Sequence, residues 1–448
     1  MKQPVVVLEN GASKIKVGVV NASTSVASQD LQRVFPNAII KSKGDKRTFY
    51  GADFEECKDC SGLNYRLPFE KGYLTDWDAQ KAIWDGVLRH EFLGIDPHEA
   101  SVLVTEPYFN LPNIQDTYDQ FMFEEYEFAA YYRSTPAAFL PHGQLFKVRG
   151  LPSPECILVV DAGFSFTHVV PLINGVIEWS AVKRIDVGGK LLTNHLKELV
   201  SYRQWNMMDE THVMNDVKES CCYVSQDFAT DLETCRRNTR VNAIVREYIL
   251  PDFSLNKRGR VRKPGEMLLD SHQILYMGNE RFSIPEVLFH PSYLGLQQAG
   301  LAAAVAQSIA LLPEELQDMF WANIGLVGGS VKFPGFAQRL MSELRPLAPS
   351  DQEVVIYESK DAVLEAYRSA VAFACSVRFR DCVVTREEYL ESGPAACRVR
   401  FADWKGASDI GKGKGRARVD ESDDESSQVT QTRTVKTRTR VVAGVKRR

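Results

Sequence analysis

Apolar runs that end at a carboxylate and a glycine are the clearest periodic signal in the chain. Val5–Leu8 is wholly apolar, and Glu9-Asn10-Gly11 follows it, then alternation at Ile15, Val17 and Val19. Ile157–Val160 is a second such run, followed by Asp161-Ala162-Gly163 and by Phe166, His168 and Val170 at period two. A short continuous apolar run, a turn and then alternation predict a buried strand, a tight turn and a second strand. Each hairpin thus carries a carboxylate and a glycine at its turn, and the two carboxylates lie 152 positions apart. That spacing predicts an internal duplication, each half built around one hairpin.

A third apolar strand, Asn323–Val327, runs into Gly328-Gly329-Ser330, behind which Phe336, Leu340 and Leu344 recur at helical spacing. Gly188-Gly189 opens another helix, with its stripe at Leu191, Leu192, Leu196, Leu199 and Val200. His195 lies beside that stripe and reads as a boundary histidine. Strands alternating with helices predict an α/β fold. Residues 254–273 hold Lys257, Arg258, Arg260, Arg262 and Lys263 with few apolar neighbours, which predicts a basic surface loop. Residues 402–448 have too few bulky apolar positions to form a core and are expected to be a disordered tail.

Composition changes this picture in two places. With 448 residues, 44% hydrophobic and 25% charged, the chain has the balance of a large globular protein. The net charge of −4 hides an asymmetry: residues 402–448 carry 12 Lys/Arg against 7 Asp/Glu, and the rest 42 against 51. A mildly acidic body is followed by a basic tail. Nine scattered cysteines fit reduced thiols, and the lone Cys57-x-x-Cys60 has no second pair at zinc-site spacing. It is expected to carry two free thiols. No run approaches the ~18 apolar residues of a membrane-spanning helix.

Glycines after a buried strand let successive backbone N–H groups close on a phosphate. Two such hairpins facing each other would hold a polyphosphate, with Lys16 on an oxygen. Glu9 and Asp161 would hold a hydrated Mg²⁺, which favours few carboxylates and several waters. The chain has no GxxxxGK[ST] motif, so P-loop chemistry is not expected.

At these turns the sequence resembles the actin family, over residues 4–401. The segments that carry the likeness are Leu103–Pro107, Met122–Glu124, Asp161–Gly163 with Thr167–Pro171, Gly278–Phe282 and Glu391–Pro394. Pro68–Leu74, Thr105–Asn110, Val187–Lys197, Asp209–His212 and Cys222–Phe228 are similar to a nuclear actin-related branch rather than to conventional actin. The resemblance implies a two-lobed, duplicated ribonuclease-H-like fold of four subdomains with ATP, or ADP, and Mg²⁺ in the cleft. Residues 1–150 with 350–401 would form one lobe, with a small subdomain at about 31–64. Residues 151–349 would form the other, with a small subdomain at about 187–284. By position, Glu9, Asn10, Gly11 and Lys16 match the first phosphate loop, and Asp161, Gly163 and Thr167 the second. Gly189, Lys218 and Glu219 match residues around ribose and adenine, and Gly328, Gly329, Ser330 and Phe333 the far side of the nucleoside.

The departures bear on activity. Glu9 stands where actin has an aspartate, and Ala12-Ser13 where it has serine and glycine. Phe164 replaces the second aspartate of the second loop. Pro136 stands where actin's glutamine orients the attacking water, and its side chain neither donates nor accepts. ATP is therefore expected to bind with little or no hydrolysis, and a shortened loop at Lys43–Cys60 argues against filaments. The resemblance implies a structural subunit in the nucleus, with the cytoplasm also open. Its setting would be a SWR-type remodeller that exchanges a core nucleosomal histone for its Z variant, beside a separate motor ATPase and a zinc HIT-finger protein. Two other readings stay open: an active ATPase or phosphotransferase of the same superfamily, and a nucleosome- or DNA-binding module using the basic loop and tail.

Overall fold

The computed structural model describes residues 3–20, 32–88, 93–237, 242–252, 258–401 and 404. The tail expected at 402–448 lies outside them, Trp404 excepted.

Strand β1 (Val5–Asn10) turns into β2 (Lys14–Val20) with Glu9 opposite Lys16. Every residue of β1 is buried because both of its faces are covered. Val6 and Leu8 enter one apolar cluster, and Val5 and Val7 another on the opposite face. That two-sided burial is why the run is continuous rather than alternating. β3 (Arg33–Pro36) adds to β2. A small sheet follows, in which β4 (Ile39–Ser42) lies between β5 (Arg47–Tyr50) and β6 (Asn64–Arg66). The short hairpin of β7 (Phe69–Glu70) and β8 (Tyr73–Leu74) then leads into helix α1 (Trp77–Val87), capped by the Asp76 carboxylate on the Ala79 N–H. β9 (Ser101–Thr105) runs parallel to β1, and β10 (Ala130–Ser134) parallel to β9.

The second half repeats the plan. β11 (Cys156–Ala162) and β12 (Thr167–Ile173) form a hairpin with Asp161 opposite His168. β13 (Val176–Ile177) and β14 (Lys183–Ile185) both pair with β12. Helices α2 (Gly189–Arg203) and α3 (Thr211–Cys221) follow, then a sheet in which β15 (Arg246–Ile249) lies between β16 (Arg260–Val261) and β17 (Ile274–Met277). β18 (Ile324–Val327) runs parallel to β11, helix α4 (Phe336–Leu344) follows, and β19 (Ile356–Glu358) runs parallel to β18. Helix α5 (Glu365–Ala374) returns to cover β1, and β20 (Val384–Thr385) closes the first sheet beyond β10. The two main sheets read β20-β10-β9-β1-β2-β3 and β13-β12-β11-β18-β19. In each, an antiparallel hairpin is followed by two parallel strands, which is the duplication expected from the spacing of the carboxylates. Each sheet with its helices is a lobe below.

Two sequence readings change in detail. Both carboxylates sit on their strands, which extend to Asn10 and Ala162, rather than in the turns. The described part of the basic segment is not a plain loop. Arg260 is in β16 and pairs with Glu266, and Arg262 pairs with Glu247 of β15, so their charges are neutralised locally. Lys257 lies outside the described residues. Cys57 and Cys60 are free, with their sulfurs 4.0 Å apart. Among the described residues no helix is long and apolar enough to cross a membrane.

Candidate functional site

A cavity of about 510 Å³ opens between the two hairpins, within the range of small-ligand sites. Of the fourteen residues expected to bind a cofactor, all but Thr167 line it. Thr167 is fully buried below, where its hydroxyl donates to the Val187 carbonyl at 2.9 Å. It ties β12 to the approach to α2 instead of facing a ligand. Threonine at a strand start gives no sign in the sequence of which way its hydroxyl points.

The first turn is fixed by Asn10. Its backbone N–H donates to Thr105 Oγ1 at 3.0 Å, its side-chain amide donates to the Tyr118 hydroxyl at 3.0 Å, and its Oδ1 accepts from Asn37 at 3.2 Å. Asn10 is therefore occupied with protein partners and shapes the turn. Lys16 is ion-paired with Glu9 Oε1, while Glu9 Oε2 is buried with no hydrogen-bond partner. A buried acceptor without a donor costs about 1–3 kcal/mol, so this oxygen marks a place for a ligand.

The second turn is clamped to the start of α2. The Gly189 N–H donates to Gly163 O at 3.0 Å and the Lys190 N–H to Phe164 O at 2.9 Å. A Cβ on Gly188 would lie 2.5 Å from Phe164 O, so only glycine permits this approach. Asp161 accepts from the Tyr108 hydroxyl at 2.9 Å, and burial pushes its carboxyl up to about 6. Gly328 has φ +97°, and a Cβ there would stand 2.4 Å from Ala162 O, which brings the third turn flush against the second.

The end of the cavity expected to take the nucleoside is built from α2 and α3. Lys218 is buried and donates to Gly189 O at 3.1 Å, Thr193 Oγ1 at 2.8 Å and Asn215 Oδ1 at 2.9 Å. Burial holds its ammonium below the usual lysine range. Asn215 also donates to Glu219 at 2.7 Å, which aligns the carboxylate beside it. Ser330 and Phe333 lie opposite, both buried.

Several lining residues escaped the sequence reading: Lys14, Tyr108, Arg184, Asn215 and Lys332. Tyr108 had a usable signal, since it follows the carboxyl end of β9, where α/β sheets place their ligands. Glu106 also lines the cavity, but Arg133 at 2.9 Å, Asn110 at 2.8 Å and Gln115 at 3.0 Å engage its carboxylate.

The actin family model matches residues 1–402 of this chain. The chain belongs to the actin family. Within that family it is 47% identical to the actin-like protein ARP6 of Cryptococcus neoformans, over 90% of this chain and 85% of the relative. It is 40% identical to actin-related protein 6 of Drosophila melanogaster, over 88% of this chain and 98% of that one. Identity to actin-related protein 6 of Oryza sativa is 36%, over 89% and 98%. Actin-family proteins typically hold a nucleotide with a divalent metal. The residues present fit such a cation through Glu9 and Asp161, given the unpartnered Glu9 oxygen. Among the described residues no three acidic, imidazole or thiol groups converge anywhere, so the remaining ligands would be water, as Mg²⁺ favours. Bound there, Mg²⁺ would neutralise phosphate oxygens.

Proposed function

We propose that this chain is a nucleotide-holding, non-hydrolysing structural subunit of a nuclear SWR-type remodeller that exchanges a core nucleosomal histone for its Z variant. One observation carries the non-hydrolysing part. Pro136 and Phe164 both line the cavity, at the two positions where hydrolysis in the actin family calls for polar groups. Hydrolysis requires a water held in line with the phosphorus and a base or dipole to orient it. Neither a pyrrolidine nor a phenyl ring does this. Glu9, Lys16, Asp161, Gly189, Lys218 and the Gly328–Ser330 turn remain in place to hold ATP or ADP with Mg²⁺.

A bound nucleotide would then act as a structural ligand. Binding to the folded state alone adds about 4 kcal/mol of stability at a thousandfold excess over Kd. Such a closed body suits docking to a separate motor ATPase and a zinc HIT-finger protein, as a monomer rather than a filament. Membership of the remodeller rests on the likeness to the nuclear actin-related branch. Direct DNA contact by the basic segment is less favoured, because Arg260 and Arg262 are already paired with carboxylates.

The test is purification of the native protein from nuclear extract, with nucleotide released by denaturation and identified, while ATP turnover is assayed on the isolated recombinant chain, free of the motor subunit. Bound ATP or ADP, co-purifying remodeller subunits and turnover far below the ordinary enzymatic ~1 s⁻¹ are expected. Turnover at or above that rate, or an empty and solitary chain, would overturn the reading. In the same assay Pro136→Gln with Phe164→Asp should raise turnover.

A further inference from the structure

The bulky apolar side chains that stand furthest into solvent are not at the cavity. Tyr202 is 93% exposed, Tyr276 49%, Trp205 47% and Met208 45%, and none of them lines the cavity. Two tyrosines, a tryptophan and a methionine bury large areas in cores and interfaces, so their joint exposure marks a contact surface. They come together because α2 ends beside the edge of β17. The Gln204 side chain donates to Tyr276 O at 2.7 Å and accepts from the Tyr276 N–H at 2.8 Å, and the Trp205 indole donates to Ile274 O at 3.1 Å. The Met207 N–H donates to Ser201 Oγ at 2.9 Å, which folds the segment back on the helix. The aromatic residues thus stand on a fixed backbone, and a partner loses little entropy in ordering them.

The same contacts narrow the occupant. β17 is an edge strand, but Gln204 already engages both backbone groups of Tyr276, and Glu280 takes the Gly278 N–H at 2.9 Å. Strand addition is therefore closed there, and a partner has to bind through side chains. Segments 198–210 and 267–277 carry Glu198, Asp209, Glu210 and Asp270 against one arginine, Arg203, which is paired with Glu280. Arg246, opposite Met277 in the register, donates to the Ala243 and Val245 carbonyls. Glu198, Asp209 and Asp270 are exposed, and they give the aromatic centre an acidic rim. That rim repels a nucleic-acid backbone or an anionic lipid surface, and two copies placed face to face would oppose like charges. Its complement is an apolar stripe flanked by Lys and Arg.

We infer that this surface docks a basic amphipathic segment of another polypeptide. The segment lays its apolar side chains on Tyr202, Trp205 and Tyr276 and sets its Lys or Arg side chains against Glu198, Asp209 and Asp270. Tyr202 is the anchor, since an exposed aromatic side chain that becomes buried at the centre of an interface carries much of its binding energy. The inference is independent of what the cavity holds.

The experiment places the photo-crosslinker benzoylphenylalanine at position 202 of the full chain in its own cells and identifies the crosslinked peptide by mass spectrometry. The expected product is a peptide of a different polypeptide, rich in Lys and Arg, with apolar residues at helical spacing. That peptide is then synthesised and titrated against the full chain. Tyr202→Ala should weaken its binding at least about tenfold, and so should Glu198→Lys combined with Asp209→Lys. Both variants should melt with the wild type, because the altered side chains are exposed. Crosslinks to a second copy of this chain, to nucleic acid or to an acidic or wholly polar peptide overturn the inference. The absence of any crosslink does so too, as does either variant binding the peptide as tightly as the wild type.

Discussion

Lys16 faces Glu9 across the β1–β2 register, and the pair is closed off from solvent, each side chain about one-tenth exposed. The equivalent register in the second hairpin sets His168 against Asp161, so duplication kept the position and changed the partner. The first hairpin neutralises its carboxylate internally, whereas Asp161 takes its donor, Tyr108, from the segment after β9, which packs in the same apolar cluster as β11 and β12.

That difference makes Lys16 a stability residue as well as a phosphate candidate. Lys16→Met should cost the nucleotide-free protein about 3–5 kcal/mol, because it leaves a buried carboxylate uncompensated. Adding Glu9→Gln to Lys16→Met should recover most of the loss. Urea denaturation of the two variants decides the matter. A single variant as stable as the wild type would show that solvent already screens the pair.

His168 gives the fold a measurable pH dependence. Burial, and then the nearby Arg184, lower its pKa to about 3, so the folded state carries it neutral. An unfolded histidine titrates near 6.5, so between about 3 and 6.5 the unfolded chain binds the extra proton. The stabilisation is present above about 6.5 and is lost as pH falls toward 3, by up to about 1.4 kcal/mol per pH unit. Asp161 acts in the opposite sense between its ordinary value and about 6, which makes the variant comparison the informative one. His168→Gln should lower the slope of stability against pH from 6.5 to 4 by about 1.4 kcal/mol per unit. Parallel profiles for the two proteins would contradict this.

These cases show what the sequence makes visible. β1 and β11 are legible because burial on both faces writes a continuous apolar run, and the hairpin turn reads from Glu9 to Gly11 and from Asp161 to Gly163. Asn10, Thr167 and Tyr108 read differently, because their roles depend on partners far along the chain. Tyr108 acts on a residue 53 positions later, and Asn10 accepts a bond from Asn37 and donates to Tyr118. Arg260 resembles a loop residue in the sequence because charge alone does not announce a two-residue strand flanked by the Arg260–Glu266 and Arg262–Glu247 pairs.

Residues outside the cavity lining make another contact between the lobes. Tyr65 of β6 places its hydroxyl 3.4 Å from His212 Nδ1, and Phe54 packs edge-on against the same ring at 5.9 Å. His212 is in the first turn of α3, the helix that carries Lys218 and Glu219 into the cavity. Separating these segments therefore has to break contacts to the helix whose later residues line the cavity. An edge-to-face pair contributes about 0.5–1.5 kcal/mol, so Phe54→Ala should speed nucleotide release by roughly 2- to 12-fold. Stopped-flow chase of a fluorescent nucleotide measures it. An unchanged release rate with an unchanged melting midpoint would mean that the contact does not gate the cleft.

Trp404 fastens the chain to the joint between the lobes. Its indole N–H donates to the Asn110 carbonyl at 2.9 Å, and its ring meets Phe109 edge-on at 5.8 Å. Phe109 in turn packs against Trp179 of the second lobe at 5.4 Å, and it holds φ +55°, a left-handed conformation a phenylalanine rarely adopts. The Asn110 side chain donates to Glu106, which lines the cavity, so one short segment links Trp404 to the cavity wall. Trp404→Phe keeps an aromatic ring and removes the N–H donor, a loss of about 0.5–1.5 kcal/mol. Trp404→Ala should also remove the ring contact, for a total of about 1–3 kcal/mol. Thermal melting should rank the wild type above the Phe variant and the Phe variant above the Ala variant. If the Ala variant melts with the wild type, Trp404 rests on the joint without holding it, and Phe109 keeps its left-handed backbone by packing on Trp179 alone.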